Sequence, residues 1–291
     1  MVAEAELGEW VSVSNVGEAL DDVVSGRSTY AMIAMENSIE GGVSATQDAL
    51  AELPGLRIIG EYQVPVRFSL VAGPGTSLSE VSVLSAHPVA YAQCRHWLEK
   101  NLPNHVHVPS ASNVKAAEEA LGDGPVHAAL APSSIVERLG VEVLADEVGD
   151  NPKAETRFVL VRLGGVVPER TGADKTSIIA ELPDDGPGRL LEMLEQFATR
   201  GVNMSLLESR PIGDAMGRYR FVIDLDGHIH DERVADALMG LRRFGPKVIF
   251  LGSYPRANGH RPDVSEKYTD QAFVDARAWL AAVAEGHADL A

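Results

Sequence analysis

A hydroxyl and a guanidinium stand side by side at Thr156 and Arg157, at the start of the apolar run Phe158-Val159-Leu160-Val161. A short continuous apolar run of this kind is typical of a buried strand. Arginine presents a planar fork that matches a carboxylate, and ligands in open α/β sheets bind where strands meet loops. The pair therefore favours an anion-binding strand end. The alternative is a surface arginine that pairs with Asp150 or Glu155.

A second polar segment, Glu36-Asn37-Ser38, follows the apolar residues 31–35, which are typical of a strand. Several hydrogen-bond donors and acceptors therefore stand together at a strand end, just before a pair of glycines. Ser38 or Ser44 could equally serve as a helix N-cap, the commonest use of serine at such a position. Considered alone, this segment supports ligand binding and helix capping equally.

A third segment, Ser85-Ala86-His87-Pro88, joins a predicted strand at residues 81–85 to a predicted helix. Pro88 suits the first turn of that helix, whose free N–H groups favour an anion, and Gln93 follows about a turn later. His87 is a candidate general acid or base because its pKa lies near neutrality, with a structural hydrogen bond as the alternative. The remaining histidines lack the spacing of metal ligands, so no metal site is expected.

Composition limits the class of protein. The 291 residues predict two domains, and 45% apolar with 23% charged residues is typical of globular proteins. The formal net charge of −17 argues against nucleic acid as a partner, and an anionic ligand would need a local positive site. A single cysteine, Cys94, excludes an internal disulfide and a cysteine-built zinc site. No apolar run has the length of a membrane span and the start does not resemble a signal peptide, so we expect a cytoplasmic enzyme without a membrane partner.

The predicted elements divide the chain into domains. Strand-like and helix-like segments alternate over residues 1–163, which is the α/β pattern, and they include helices at 16–24, 41–53, 88–98 and 113–121. Residues 164–174 contain Gly and Pro and are a predicted linker. Over residues 175–256 the order changes to β-α-β-β-α-β, the ferredoxin-like arrangement. The tail, residues 257–291, is polar and contains a predicted helix at 269–283.

Taken in order, the three polar segments resemble those of the prephenate dehydratase family of phenylalanine biosynthesis. The family's Glu-Asn-Ser block, its Ser-His-Pro helix and its Thr-Arg-Phe signature all have counterparts here. Residues 201–211, Gly-Val-Asn-Met-Ser-Leu-Leu-Glu-Ser-Arg-Pro, closely resemble the Glu-Ser-Arg-Pro segment of an ACT regulatory domain. The resemblance extends to Pro255. It implies a two-lobed catalytic domain like a periplasmic binding protein, followed by a ferredoxin-like ACT domain.

The resemblance implies a reaction in which prephenate loses CO₂ and its ring hydroxyl, as water, to give phenylpyruvate. Aromatisation drives this reaction, so neither a cofactor nor a metal is implied. Thr156 would donate a proton or a hydrogen bond to the leaving hydroxyl, and Arg157 would bind a substrate carboxylate. The further implied site residues are Glu36 and His87 as catalytic candidates and Asn37, Ser38, Gln93 and Ser85 as substrate-binding residues.

The resemblance to an ACT domain implies feedback by L-phenylalanine, bound between domains of two subunits in a homodimer or homotetramer. Glu208 and Arg210 would offer charges to the ammonium and carboxylate of an amino acid, whereas on their own they would more simply pair with each other at an exposed site. The implied effector contacts are Gly188, Arg189, Leu190, Asn203, Leu207, Glu208, Ser209, Arg210 and Pro211.

The chain departs from the family pattern in three places. The Gly-Pro-x-Gly-Thr-Phe turn that opens the family's first helix has no counterpart, Ala154 stands where asparagine is usual, and Arg189 replaces the alanine of the ACT Gly-Ala-Leu block. The missing turn implies a misassigned start, a truncated enzyme of low activity, or a non-catalytic phenylalanine-binding regulator, and we favour the first. Arogenate dehydratase, with the same mechanism on an amino substrate, is a further alternative. A solute-binding protein is disfavoured because no export signal is present.

Overall fold

The computed structural model describes residues 8–132, 135–182, 184, 186–213 and 217–286. Two compact units make up the chain: one comprises the chain up to Gln63 and from Arg157 onward, and the other comprises Val64–Thr156. None of the helices in the described residues combines the length and the apolar character needed to cross a membrane. The helices are α1 Val16–Val24, α2 Ser44–Glu52, α3 Pro88–Gln93, α4 Arg95–Asn101, α5 Asn113–Leu121, α6 Val136–Leu139, α7 Arg189–Ala198, α8 Glu232–Phe244 and α9 Asp270–Ala284. The strands are β1 Ala31–Asn37, β2 Gly41–Gly42, β3 Leu56–Pro65, β4 Ser69–Ala72, β5 Val83–Ala86, β6 Val106–Pro109, β7 Ala128–Ala131, β8 Glu142–Ala145, β9 Glu155–Leu163, β10 Asp174–Glu181, β11 Met204–Pro211, β12 Tyr219–Asp226 and β13 Lys247–Pro255.

The first unit contains a four-stranded sheet in the order β2-β1-β9-β3. Helix α1 forms where the sequence predicts it, because Leu20 and Val23 lie on one face and are buried in the same apolar cluster as residues of β1. Its first turn is closed by Asn15, whose Oδ1 accepts the backbone N–H of Glu18 at 3.0 Å. The helix therefore covers the sheet that carries the polar segment 36–38.

The second unit contains a five-stranded sheet in the order β6-β5-β7-β4-β8, in which β5 is parallel to β6 and β7. Every residue of β7 is buried, which explains why this alanine-rich strand shows no polar alternation. The predicted helix at 88–98 is wrong as a continuous helix, since it breaks at Cys94 into α3 and α4. The carboxylate of Asp150 accepts the N–H groups of His96 and Trp97, each at 3.0 Å. A distant loop thus caps α4, and the local sequence could not show this.

The C-terminal part of the first unit follows the order β10-α7-β11-β12-α8-β13 and forms an antiparallel sheet, β11-β12-β10-β13. The predicted α/β class and ferredoxin-like order are confirmed. Strand β10 is buried along almost its whole length because both of its faces are covered. Ile178 and Ala180 pack with Phe197 of α7, whereas Ile179 lies in the apolar cluster of α1 and β1.

Strand β13 comes close to β3 at Gly252. This glycine has a φ of 156°, and a side chain on it would overlap the backbone carbonyl of Ile58. The neighbouring Leu251 and Tyr254 are buried in one apolar cluster with Leu56 and Ile58. The ferredoxin-like sheet and the sheet of β1 therefore share a hydrophobic core.

Three short elements, β2, β8 and α6, were not predicted from the sequence. Gly41 and Gly42 pair with the end of β1 instead of starting the predicted helix at 41–53, so α2 begins only at Ser44. Strand β8 and helix α6, of four residues each, were also not expected. The predicted terminal helix at 269–283 matches α9, Asp270–Ala284, and the residues from 287 onward lie outside the described part of the chain.

Candidate active site and effector site

The polar segment 36–38 lies at the end of β1 and in the turn to β2. The Oδ1 atom of Asn37 closes this turn, because it accepts the backbone N–H groups of Ile39 and Glu40 at 2.9 and 3.3 Å. Ser38 is exposed in the turn. Helix α2 begins at Ser44 and is preceded by a valine as its N-cap, so the capping alternative for these serines is wrong.

Arg157 is buried in β9, only 5% exposed, and its guanidinium faces three carboxylates of the protein. Its Nε lies 3.0 Å from Glu36 Oε2, one terminal nitrogen 3.2 Å from Glu61 Oε2, and the other 2.6 Å from Asp224 Oδ2. Burial opposes the positive charge, but the carboxylates of Asp224, Glu61 and Glu36 outweigh it and raise the pKa of Arg157 above its ordinary value. Since all three nitrogens face protein carboxylates, the binding of a substrate carboxylate by Arg157 stays a prediction.

Glu61 and Asp224, which sequence reasoning missed, belong to a larger buried polar network around this guanidinium. Glu61 Oε2 also accepts a hydrogen bond from Lys175 Nζ at 2.9 Å, and Asp224 Oδ1 accepts one from Ser177 Oγ at 2.5 Å. The Ser177 and Tyr254 hydroxyls lie 2.6 Å apart. Burial raises the pKa of Tyr254 well above its ordinary value, so the phenol stays protonated. For Asp224, the signal in the sequence was an acidic residue within the apolar segment 221–225 of β12.

Ser85, His87 and Gln93 lie in the second unit, where the side chains of Ser85 and His87 make hydrogen bonds within the protein. Ser85 is fully buried and donates to Glu119 Oε2 at 2.6 Å. His87 is the N-cap of α3, and its Nδ1 accepts the N–H of Val89 at 3.3 Å, the structural use that the sequence left open. Gln93 is 7% exposed, and its Oε1 has no hydrogen-bond partner among the described residues. Contact of these three residues with a substrate stays a prediction.

Thr156 is half-buried in β9 and immediately precedes Arg157. Two residues earlier, the buried Ala154 accepts the backbone N–H of Val66 at 2.8 Å through its carbonyl. This alanine thus supports the strand through its backbone, although it lacks the amide side chain usual at this position. Within the described ranges, no three His, Cys, Asp or Glu side chains are grouped so that they could hold a metal ion.

A cavity of about 610 Å³ lies where α7 begins, against β11 and β12. Gly188, Arg189 and Leu190, three of the predicted effector contacts, line it. The Arg189 guanidinium is held by Asp184 and Glu192, each at 3.0 Å. The apolar wall of the cavity is formed by Leu182, Leu190, Leu191, Leu194, Tyr219 and Phe221. An apolar wall with charged groups beside it suits a ligand that is part hydrocarbon and part ionic.

The predicted effector residues of β11 are divided between two faces of the strand. Ser209 lines the cavity. Its neighbours Glu208 and Arg210 point to the opposite face, as alternation along a strand requires, and contact the β2–α2 region. Glu208 accepts the backbone N–H of Gly42 at 2.7 Å, and Arg210 pairs with Asp48 at 2.7 Å. Glu208 and Arg210 are therefore each held by the β2–α2 region instead of by each other.

Three further predicted contacts, Asn203, Leu207 and Pro211, are not among the described residues that line the cavity. The Asn203 amide donates to Asp226 Oδ2 at 2.8 Å, and Leu207 is 41% exposed on the edge strand β11. Contact of these residues with an effector stays a prediction.

Comparisons with known proteins identify the family. The model of the prephenate dehydratase family matches residues 2–164. Two relatives named prephenate dehydratase, from Corynebacterium glutamicum and Amycolatopsis methanolica, are 40% and 42% identical to the chain, over 92% and 96% of its length and 84% and 90% of theirs. A crystal structure of prephenate dehydratase in complex with L-Phe from Arthrobacter aurescens is 48% identical, with a TM-score of 0.90 over 98% of this chain and 94% of that one. By sequence and by fold, the chain belongs to the prephenate dehydratase family.

Proposed function

We propose that the chain converts prephenate to phenylpyruvate, with release of CO₂ and water, in the biosynthesis of phenylalanine. The observation that carries the proposal is the family match over residues 2–164, which includes both the polar segment 36–38 and Thr156-Arg157. The reaction makes the ring aromatic, so the protein has to hold a dicarboxylate and assist the departure of a hydroxyl. Neither task needs a cofactor. A cytoplasmic location is part of the same proposal.

Thr156 is the residue to which we assign the leaving hydroxyl. A threonine hydroxyl is a weak acid, so it acts as a hydrogen-bond donor that polarises the departing oxygen. Asn37, Ser38 and Gln93 orient the substrate. The amide oxygen of Gln93 supports this role, because it is buried and has no hydrogen-bond partner among the described residues. A hydrogen bond donated by the substrate would satisfy this buried acceptor.

L-Phenylalanine is the proposed feedback inhibitor, bound in the cavity at the start of α7. The related structure from Arthrobacter aurescens contains L-Phe, and the cavity offers an apolar wall for the ring, with Ser209 and Arg189 for the polar groups. Leu190, Leu191 and Tyr219 remain 40%, 61% and 45% exposed beside it. A second subunit, in a homodimer or homotetramer, would cover these side chains and complete the site.

The test is formation of phenylpyruvate from prephenate by the purified chain, with arogenate as a parallel substrate and with L-phenylalanine added. We expect turnover of prephenate that L-phenylalanine suppresses. Binding of L-phenylalanine without turnover of either substrate would refute catalysis and support a regulatory protein. Faster turnover of arogenate would correct the substrate.

The role of Thr156 is tested separately by Thr156→Ala and Thr156→Ser. Because the hydroxyl acts on the leaving group, we expect Thr156→Ala to lower kcat by roughly 100-fold or more and to change KM far less. Thr156→Ser retains the hydroxyl and should retain most of kcat. A rise in KM at constant kcat would make Thr156 a binding residue.

A further inference from the structure

The buried guanidinium of Arg157 is held from three directions by three separate segments of the chain. Glu36 lies near the end of β1, Glu61 lies in β3, and Asp224 lies in β12 of the ferredoxin-like sheet. Their distances to the three guanidinium nitrogens are 3.0, 3.2 and 2.6 Å, respectively. A planar group contacted on every nitrogen has one orientation only.

Two of the three carboxylates are themselves fixed. Lys175 donates to the same Glu61 oxygen that faces Arg157, and the other Glu61 oxygen accepts the backbone N–H of Ala257 at 3.0 Å. Ser177 donates to the Asp224 oxygen that does not face Arg157. The contacts around Asp224 and Glu61 therefore come from β10 and from the residues that follow β13, so the ferredoxin-like sheet determines where the charges facing Arg157 lie.

Stability alone does not require this arrangement. Burying a charge is unfavourable, and well-packed apolar residues are often as stable as a buried ion pair or more so. What a network of this kind does provide is a single position for the backbone that carries it. Arg157 directly follows Thr156 in β9, and a displacement of a reacting group by about 1 Å can reduce a rate by roughly 100-fold. The network lies one residue from the proposed hydrogen-bond donor.

We propose that Asp224 and Glu61 are positioning residues for the dehydration: through Arg157 they fix the strand that carries Thr156, although Asp224 belongs to the ferredoxin-like domain. This inference rests on the proposed function. It makes the effector-binding domain a structural component of catalysis and assigns Arg157 to the support of the site.

The test compares Asp224→Asn with Asp226→Asn by steady-state kinetics on prephenate. Asp224→Asn keeps the shape of the side chain and removes the charge that faces Arg157. Asp226 is a matched control, because it lies in the same strand, is also buried, and pairs with a different arginine, Arg256, at 3.1 Å. We expect Asp224→Asn to lower kcat at least tenfold with KM within twofold of wild type, and Asp226→Asn to leave both within twofold.

Coupling to Arg157 is tested in an Arg157→Lys background. There Asp224→Asn should lower kcat by less than a further twofold, because lysine cannot bridge the same carboxylates. If Asp224→Asn fails to fold, Ser177→Ala replaces it, since this change keeps every charge and removes one hydroxyl that orients Asp224. We expect Ser177→Ala to lower kcat two- to fivefold, again without a change in KM.

Three results would overturn the inference alone: a wild-type kcat in Asp224→Asn and in Ser177→Ala, an equal loss of kcat in Asp226→Asn, or a rise in KM at unchanged kcat. The last result would instead assign Arg157 to binding of the substrate. A wild-type chain that does not turn over prephenate would overturn the proposed function and this inference with it, so the two failures are distinguishable.

Discussion

Gly42 offers a precise way to displace Glu208 from its contacts with the β2–α2 region. The N–H of Gly42 donates to one oxygen of the Glu208 carboxylate at 2.7 Å, and the Gln47 amide donates to the other at 2.5 Å. A Cβ on Gly42 would overlap both side chains. The φ of Gly42 lies outside the left-handed region, so alanine adds no backbone strain there. Gly42→Ala should therefore displace the Glu208 carboxylate together with the end of the Gln47 amide, and break both hydrogen bonds.

The size of the effect follows from the two hydrogen bonds. Bonds to a charged group contribute about 1.5–3 kcal/mol each when buried, and Glu208 is only half-buried, so we expect a net loss of roughly 1–2 kcal/mol. For a unit of about 200 residues, such as the one that contains Gly42 and Glu208, 1 kcal/mol shifts Tm by about 2–4 °C, so its Tm should fall by about 2–8 °C. In a Glu208→Ala background the new methyl meets only the end of Gln47. There the same change should lower Tm by no more than about 2 °C.

The assay is scanning calorimetry of wild type, Gly42→Ala, Glu208→Ala and the double variant. Gly124→Ala is the control, because a Cβ on Gly124 meets nothing within 4 Å and its φ is not positive. That control should be neutral or slightly stabilising, since alanine restricts the unfolded chain. Additive shifts in the double variant would refute the reasoning, because they would mean that Gly42 acts without Glu208.

Three further predictions concern other parts of the molecule. Burial and the charge of Asp150 raise the pKa of Cys94 to about 12, so the thiolate that reacts with a disulfide reagent is scarce at pH 8. Such a reagent should therefore not label the folded chain but should label one thiol per chain in denaturant. Rapid labelling of the folded chain would contradict this prediction. Burial lowers the pKa of His228, so the unfolded state takes up a proton more readily and stability should fall as the pH drops below about 6.5. His228→Gln should show a smaller loss of Tm between pH 7.5 and 5.5, and an unchanged loss would exclude this histidine as a cause. Ser209→Trp should fill part of the cavity and weaken binding of L-phenylalanine at least tenfold by calorimetry, whereas an unchanged Kd would place the effector elsewhere.

Local patterns predicted the regular elements well. Helices α1 and α5 have the expected bounds because each combines a buried face with a side-chain N-cap, Asn15 and Ser112. Elements set by distant contacts were missed or misplaced. The break at Cys94 depends on Asp150, more than 50 residues away, and β2 depends on pairing with β1. Such contacts leave no periodic signal in the local sequence.

The candidate site shows the same division. Glu36 and Arg157 were selected from separate segments by residue type, and the structure brings them within 3.0 Å. Asp224 could not be selected, because its approach to Arg157 depends on how β12 packs against β9. Ser209 and Glu208 could be assigned to different faces of β11, and so to different roles, only once the structure showed which face is covered and which is exposed. Residue chemistry identified the candidates, and long-range packing determined which way each one points.

Gly252 and Asp224 also restrict how this chain can be recombined with others. The first lets β13 lie against the carbonyl of Ile58, and the second supplies a charge facing Arg157. A ferredoxin-like module taken from an unrelated regulator and lacking this glycine would bring a side chain into overlap with the carbonyl of Ile58. A module lacking the acid would leave Arg157 without one of the three carboxylates that face it. Modular exchange is therefore restricted to donors that carry a glycine and an acid at these two positions, and a sensor for a new effector would have to be evolved within the existing domain.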